Sequence, residues 1–311
     1  MTVAVFAARD HHRAHLRPVA DVLGVAVGER ARATTLADVA VVASYGDLAN
    51  ARRSGYRRIV LMQHGAGQSY GGDRRTARHP AYPGGDDNDD VGLFLVPNEH
   101  AADRWAARYA HACVEVVGCP RIDELRAGAW AASTVGVGGA PTVAVSFHWN
   151  YHGIPEMRSA FDWYRDAVAA LPRTHRVIGH AHPKRRDLAR WYADHNIEYV
   201  ASFDDVVARA DVYVTDNSST LFEFAASGRP VVVLNAPWYR RDVDHGLRFW
   251  TASFVGVGVD DPSELPTAID DALRDNVGRQ HLRGQVLDHV YTHRDGTSAA
   301  RAAAAIVRFA A

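Results

Sequence analysis

The sequence predicts an α/β fold made of two doubly wound halves that face a cleft. Three observations support this. Short apolar runs alternate with helical patterns, a Gly-rich stretch interrupts the chain at 133–141, and ADVAVVAS at 37–44 is echoed by ADVYVTDNS at 210–218. Strands that alternate with helices form parallel sheets, so each half is expected to contain one. The Gly-rich stretch has the composition of a linker and equally of an ordinary loop.

Ten runs are predicted as strands because most are continuously apolar, as strands buried on both faces are. They are 2–8, 39–44, 58–62, 91–97 and 114–118 in the first half, and 142–147, 176–180, 197–202, 212–216 and 230–235 in the second. Helical patterns lie at 98–110, 155–171, 184–195 and 297–309. The predicted domains are 1–135 and 140–295, with 296–311 packing back on the first domain.

Composition narrows the class of protein. Hydrophobic residues make up 47% of the 311 residues, which is enough for a well-packed core. Lys and Arg number 35 against 36 Asp and Glu, and this balance argues against a nucleic-acid partner. Two cysteines suggest neither a disulfide framework nor a cysteine zinc site. No apolar run approaches the ~18 residues of a membrane span. We therefore expect a cytoplasmic protein without an integral membrane segment, and we leave peripheral association with a membrane open.

A cluster of hydroxyl side chains follows one predicted strand. Ser218, Ser219 and Thr220 stand between the strand at 212–216 and a short helix. Ligands of open parallel sheets collect at the carboxyl ends of strands. Small hydroxyl side chains beside free helix N–H groups would accept a diphosphate there. The cluster therefore predicts a phosphate-binding site.

Two acidic residues flank this cluster. Asp216 precedes it at the strand end, and we group it with the donor-binding residues. Glu223 lies one turn into the helix, where it could accept hydrogen bonds from ribose hydroxyls. Thr220 and Glu223 also have the spacing of a capping box, which needs no ligand. Both interpretations stay open from the sequence.

Two histidines lie where loops would open into the cleft. His64 follows the strand at 58–62, and an imidazole can act as a base near neutral pH. The alternative is a loop histidine bonded to neighbouring backbone. His182 follows the strand at 176–180 and, with Pro183 in the first turn of the next helix, would lie at the helix mouth and donate to a phosphate. We interpret the three cations at 184–186 as a solvated first helical turn.

Further candidates carry weaker signals. Asp10, at the end of the first strand, is a second catalytic candidate, and a helix cap is its alternative role. His11, His12 and His15 beside it could touch an acceptor. Arg241 is a donor-phosphate candidate because a guanidinium donates two parallel hydrogen bonds. Two further segments are ambiguous: a base could stack on Trp149, which could equally be a core residue, and the Gly- and Asp-rich segment 69–90 could form a lid on the acceptor side.

The segment ADVYVTDNSSTLFEFAASGRPVVVL resembles the nucleotide-binding segment of the CDP-glycerol glycerophosphotransferases, the enzymes that build teichoic acids. The other matches come in the family's order: MQHGAG at 62–67, GCPRIDEL at 118–125, GHAHPKRRD at 179–187 and HRDGTSAAR at 293–301. There are departures. Asn217 stands where the family usually has Tyr, and Glu223 where Asp is common. The family's long N-terminal region and basic amphipathic helices have no counterpart, which leaves a lipid-linked acceptor less supported than the transfer chemistry.

The resemblance implies a GT-B-like fold with two Rossmann-like halves and a transferase activity. The second half would hold a nucleotide-diphosphate donor, such as CDP-glycerol or an NDP-sugar, and His182 would bind its phosphates. His64 would be the catalytic base that deprotonates an acceptor hydroxyl. No cofactor or metal is expected. The alternatives are a nucleotide-sugar glycosyltransferase acting on a glycan or protein, a UDP-sugar 2-epimerase-like enzyme, and a nucleotide-binding protein without transfer activity.

Overall fold

The computed structural model describes residues 2–31, 37–66, 88–127, 140–150, 158–216, 218–239 and 255–311. The chain divides into two compact units, the first formed by Met1–Glu124 with Asp288–Ala311 and the second by Leu125–Leu287. The corresponding boundaries predicted from the sequence are 135–140 and about 295. The Gly-rich stretch up to residue 139 and most of the segment 69–90 lie outside the described residues.

The first unit contains one parallel sheet. Its strands are β1 (Val3–Phe6), β2 (Val27–Gly28), β3 (Val39–Val42), β4 (Ile59–Met62), β5 (Val91–Val96) and β6 (Cys113–Val116). Its helices are α1 (Asp10–Leu23), α2 (Tyr45–Arg53), α3 (Glu99–Arg108) and, at the end of the chain, α11 (Ser298–Ala310). Among the described residues, six strands pair in the order β2-β1-β3-β4-β5-β6. Helices α1 and α11 cover one face and α2 and α3 the other, so the sheet is buried on both sides.

The second unit repeats this architecture. Its strands are β7 (Thr142–Phe147), β8 (Arg176–Ala181), β9 (Glu198–Tyr199), β10 (Val212–Thr215), β11 (Val231–Leu234) and β12 (Val257–Val259). Its helices are α5 (Phe161–Ala170), α6 (Asp187–Asp194), α7 (Phe203–Arg209), α8 (Thr220–Ala225) and α9 (Leu265–Leu273). Helices α4 (Pro120–Ala127) and α10 (Val277–Val290) span the points where the chain passes between the units. In the described part of the unit, six parallel strands are ordered β12-β11-β10-β7-β8-β9.

The strand orders give each sheet one topological switch point. In the first unit, β1 lies between β2 and β3, so the chain winds outward in both directions from the β1–β3 pair. In the second unit, the corresponding pair is β7 and β10. Ligands of doubly wound sheets bind at the carboxyl ends of the strands that flank such a point. The fold therefore places one candidate site in each unit.

The sequence predicted the fold class and ten of the strands found in the described residues. The prediction of a strand at 197–202 is too long, because only Glu198–Tyr199 pairs with β8. Strands β2 and β12 were missed because they have two and three residues, each includes a glycine, and their apolar patterns are too short to be recognised.

Two of the family-like segments contact one another in the first unit. The carboxylate of Asp123, from GCPRIDEL, accepts hydrogen bonds from Ser298 Oγ and Ala299 N, both at 3.1 Å, at the start of α11. Burial raises the pKa of Asp123, although these two hydrogen bonds act in the opposite direction. Gly118 has a φ of +84°, and a Cβ there would lie 2.5 Å from Ser298 Oγ and 2.8 Å from the carbonyl oxygen of His293. These segments therefore hold the last helix on its unit.

We predict that Gly118→Ala lowers the free energy of unfolding of the protein by about 3 kcal/mol or more, because a left-handed backbone and a steric overlap add. Gly24→Ala is the matched control. Its φ is +69° and a Cβ there has nothing within 4 Å, so only the backbone term of about 1 kcal/mol applies. Denaturant unfolding of both variants measures the difference. Equal losses would show that the contact between the two segments does not constrain Gly118.

Candidate functional site

Four imidazoles form a histidine cluster at the carboxyl ends of the strands of the first unit. His11, His12 and His15 belong to the first turns of α1, directly after β1, and His64 follows β4. The ring of His64 has its centroid 4.5 Å from that of His12 and 6.0 Å from that of His15. His11 lies 4.1 Å from His12. The structure thus brings His64 together with the α1 histidines beside the β1–β3 switch point.

The tautomer of His64 follows from its hydrogen bond. Its Nδ1 lies 2.7 Å from the carbonyl oxygen of Ala43, the residue that follows β3. Because a carbonyl oxygen only accepts, Nδ1 carries the hydrogen and Nε2 carries the lone pair. Burial lowers the pKa of His64 well below its usual value, and His12 and His15 lower it further. The neutral ring therefore presents a proton acceptor at Nε2.

The buried carboxylate of this cluster is Asp47, which the sequence analysis missed. Asp47 lies in the first turn of α2, whose N-cap, Ser44, accepts a hydrogen bond from the Asp47 amide. Ser44 Oγ also donates to Asp47 Oδ2 at 2.6 Å, and the amide of Ala8 donates to Oδ1 at 2.9 Å. The sequence signal was available as Ser-x-x-Asp directly after an apolar strand, a capping pattern.

Asp10 does not join the buried cluster. Its side chain is 93% exposed and forms an ion pair with Arg13 in the next turn. The N-cap position belongs to Arg9, so the alternative role of Asp10 as a helix cap is wrong as well. As the first residue of α1, Asp10 interacts favourably with the positive end of the helix dipole. Its predicted catalytic role receives no support from this placement.

In the second unit, three hydroxyl side chains form a hydroxyl cluster: Tyr213 of β10, Ser218 of the next loop and Thr220 at the start of α8. Thr220 Oγ1 lies 2.8 Å from Ser218 Oγ and 2.8 Å from Tyr213 Oη. Ser219 beside them is the N-cap of α8 and makes no side-chain capping bond. Ser218, Ser219 and Thr220 are partly exposed at the carboxyl end of β10. They therefore lie at the β7–β10 switch point, where the fold places a ligand.

The capping-box interpretation of this segment is wrong. A capping box needs its hydroxyl residue at the N-cap, and the N-cap of α8 is Ser219, which leaves Thr220 as the first helical residue. Glu223 is only 4% exposed. Helix α8 has six residues, so its dipole alone supplies little attraction for an anion.

Asp216 acts on the site through the loops that it holds. It is 0% exposed, and its Oδ1 accepts from the amide of His148 at 2.8 Å. Its Oδ2 accepts from Ser159 Oγ and the Ala160 amide, both at 3.0 Å. Asp216 therefore ties the loop after β7 to the start of α5. The sequence predicted that Asp216 contacts the nucleotide donor directly. A carboxylate with no exposed surface does not fit that prediction.

His182 also lies at this edge, but not at a helix mouth. Helix α6 begins at Asp187 and not, as predicted, at residue 184. The side chain of Arg185 pairs with Asp187, and the Arg185 amide donates to the His182 carbonyl oxygen, so a turn precedes the helix. The amide of Lys184 donates to His182 Nδ1 at 3.1 Å. Nδ1 is therefore an acceptor, and Nε2 carries the hydrogen. His182 thus presents an N–H donor, which suits a phosphate oxygen.

Aromatic and cationic side chains surround His182. Its ring centroid lies 5.1 Å from His148 and 6.1 Å from Trp149. Lys184 Nζ lies 3.6 Å from the centroid of the Trp149 ring, a cation–π contact. Trp149 is partly exposed, so it is not a core residue. His180, in contrast, is buried, and its Nδ1 bonds the carbonyl oxygen of Val200 at 2.8 Å.

Some sequence-based predictions lie outside the described residues, namely those for Arg241 and Asn217. In the ranges that the structure describes, no three His, Cys, Asp or Glu side chains are arranged to hold a metal ion.

None of the helices in the described residues has both the length and the apolar character needed to cross a bilayer.

The family model described as CDP-glycerol:poly(glycerophosphate) glycerophosphotransferase matches residues 148–308, just over half of the chain. The chain belongs to this family. It is therefore a transferase that uses a nucleotide-activated donor. The match covers β8, β10 and β11 with the loops that carry His182 and the hydroxyl cluster. No curated protein sequence matches the chain.

Solved structures share the fold. A variant of the wall teichoic acid polymerase TagF soaked with CDPG has a TM-score of 0.67 and 11% identity, covering 99% of this chain and 88% of that chain. MnaA of S. aureus in complex with UDP has a TM-score of 0.64 and 13% identity, with coverages of 99% and 97%. A putative UDP-N-acetylglucosamine 2-epimerase from Listeria monocytogenes has a TM-score of 0.61 and 13% identity, with coverages of 98% and 95%. The fold is thus GT-B-like, with two Rossmann-like units.

The histidine cluster should make stability depend on pH. Burial lowers the pKa of His15 well below its usual value, and Arg121 and His12 lower it further. The unfolded chain binds a proton there below about pH 6.5, whereas the folded chain does not. The stabilisation is therefore present above about pH 6.5 and is lost as the pH falls.

Between pH 7 and pH 5, the wild-type protein should lose about 2 kcal/mol more stability than His15→Gln, which removes the titrating group. Denaturant unfolding at the two pH values measures this difference. The exposed His111 offers a matched control, since His111→Gln should keep the wild-type slope. If His15→Gln and the wild type lost stability equally, the buried neutral state of His15 would be contradicted.

Proposed function

We propose that the protein transfers a glycerophosphate or glycosyl group from a nucleotide-diphosphate donor, CDP-glycerol or a close relative, to an acceptor hydroxyl, with His64 as the base. The observation that carries the catalytic part is the hydrogen bond between His64 Nδ1 and the Ala43 carbonyl, 2.7 Å long. It fixes the tautomer with the lone pair on Nε2, the nitrogen that would take the proton from the acceptor.

The donor would bind the second unit. Ser218 and Thr220 offer hydroxyls at the carboxyl end of β10, and His182 offers Nε2–H at the end of β8. Strand β7, which lies between β8 and β10, continues into the loop that Asp216 holds. Hydrogen-bond donors at the carboxyl ends of β8 and β10 would thus bind one diphosphate from the same edge of the sheet. Ser219 belongs to the same loop, and roles for Glu223 on the ribose and Arg241 on the phosphates remain proposals.

With CDP-glycerol, the acceptor oxygen would attack the phosphorus that bears the glycerol. The new bond joins the acceptor oxygen to this phosphorus, and the phosphoanhydride bond breaks, so CMP leaves with the bonding electron pair. The proton of the acceptor hydroxyl goes to His64 Nε2. His182 and the hydroxyl cluster would stabilise the negative charge on the phosphates by hydrogen bonding, and the proposal includes no metal.

His64→Ala should lower turnover by ~100-fold or more while leaving the affinity for CDP-glycerol unchanged, because the base is lost and the donor site is kept. CMP release with glycerol as the acceptor measures turnover, and isothermal titration measures affinity. His281→Ala, at an exposed position on α10, is the control and should behave as the wild type. Unchanged turnover in His64→Ala would remove this mechanism.

Removing the hydroxyl cluster should weaken donor binding. We expect Ser218→Ala with Thr220→Val to raise the Kd for CDP-glycerol about 100-fold or more, since two hydrogen bonds to a charged ligand are lost. Ser227→Ala, at the other end of α8, is the matched control, because Ser227 bonds Arg229. Isothermal titration with UDP- and GDP-sugars beside CDP-glycerol tests the choice of donor. Tighter binding of a sugar nucleotide would favour a glycosyltransferase, and its conversion without an acceptor would favour an epimerase.

A further inference from the structure

One histidine–carboxylate contact lies inside the histidine cluster. His12 Nδ1 is 3.7 Å from Asp47 Oδ2, and the two side chains are only 8% and 4% exposed. This distance is longer than a hydrogen bond but within the range of a charge–charge contact. In this arrangement a carboxylate lies on the Nδ1 side of an imidazole, and the same imidazole packs against the ring of His64 with 4.5 Å between centroids. His12 is therefore placed between a carboxylate and the proposed base.

The Asp47 carboxylate is fixed by the fold. Its oxygens accept from the Ala8 amide after β1 and from Ser44 Oγ after β3, so it lies at the switch point of the sheet. Burial raises the pKa of Asp47, but its interactions with His12, Ser44 and Ala8 outweigh burial and leave the pKa below its usual value. Asp47 is therefore ionised at neutral pH. Its negative charge has a defined position 3.7 Å from His12.

The other groups near the cluster disfavour an added proton. Burial lowers the pKa of His11 to about 3, with His12 and Arg9 acting in the same direction. The pKa of His15 falls through burial and through Arg121, at the start of α4. The pKa of His64 is lowered mainly by burial. Two carboxylates raise the pKa of His11 and so oppose this shift: Asp47, which is buried, and Asp10, which is exposed to solvent.

Because the pKa of His64 is low, its protonated ring is unfavourable. The transfer therefore needs a nearby negative charge when His64 takes the proton of the acceptor hydroxyl. We propose that Asp47 and His12 are positioning residues for the transfer reaction: Asp47 holds His12 against His64 and supplies the negative charge that stabilises the proton taken from the acceptor hydroxyl. This inference rests on the proposed role of His64. It adds two residues that act through His64 rather than on the substrate.

The test uses Asp47→Asn and His12→Gln in the full chain, with CDP-glycerol as donor and glycerol as acceptor. Both variants should lower kcat at least about 10-fold, with KM for CDP-glycerol within about twofold of the wild type. In Asp47→Asn, the acid limb of the profile of kcat/KM against pH should move to lower pH, because the proton on the cluster loses its counter-charge. An unmoved limb with normal kcat overturns the proposal.

Two controls separate charge from structure. Ser44→Ala removes a hydrogen bond to the same carboxylate and the cap of α2 but keeps the charge, so its acid limb should stay at the wild-type pH. Equal shifts in Ser44→Ala and Asp47→Asn would show a structural effect and overturn the proposal.

His175→Gln is the second control. His175 lies at the amino end of β8, and its Nε2 is 3.2 Å from Asp270 Oδ1. The variant therefore removes a His–Asp pair that is far from the carboxyl ends of the strands, where the donor-site residues lie. Its kcat should equal that of the wild type.

The failure of this inference differs from the failure of the proposed function. Loss of turnover in His64→Asn together with normal behaviour of Asp47→Asn overturns only the inference. Full turnover in His64→Asn overturns both, because there is then no base for the pair to support. A readout independent of turnover is proton uptake by the cluster, followed through the ring signals of 13C-histidine in NMR. Uptake should move to lower pH in Asp47→Asn, and an unmoved titration overturns the proposal.

Discussion

A buried carboxylate bridges the switch point of each sheet, and the arrangement of both candidate sites depends on it. In the first unit, Asp47 follows β3 and accepts the amide of Ala8, which follows β1. In the second unit, Asp216 follows β10 and accepts the amide of His148, which follows β7. Two parallel strands diverge into separate loops at such a point. A carboxylate there accepts hydrogen bonds from backbone amides that the divergence leaves without a partner in the sheet. The carboxylates thereby fix the loops that carry the functional side chains.

The backbone also sets opposite roles for the two site histidines. A carbonyl oxygen meets Nδ1 of His64, whereas an amide meets Nδ1 of His182. The first contact leaves a lone pair on Nε2, and the second leaves a hydrogen there. The same side chain therefore presents a lone pair at Nε2 in one unit and an N–H at Nε2 in the other. The identity of the partner atom, and not the residue type, decides the chemistry.

The sequence predicted what depends on local pattern. Apolar runs located the central strands, and the rule that ligands gather at strand ends pointed to His64 and to the segment from Ser218 to Thr220. It could not predict what depends on contacts between distant residues. The Ser-x-x-Asp pattern at Asp47 marks only a helix start, and its place in the site depends on its contact with Ala8, 39 positions away. Asp216 was predicted as a ligand contact because its burial depends on the loop after β7 and the start of α5, which are distant in the sequence. The start of α6 was misplaced because the pairing of Arg185 with Asp187 replaces the first turn.

The division of the chain has a consequence for biosynthesis. The second unit is one continuous segment, Leu125–Leu287, whereas the first takes its last helix from residues that follow the second unit in the sequence. Ala302, Ala305 and Ile306 of that helix complete the core that Leu16 and Val19 of α1 begin. During translation, the amino-terminal sheet therefore emerges from the ribosome with one apolar face incompletely covered. That face is completed only after the residues of α11 have been synthesised and have folded back onto the sheet.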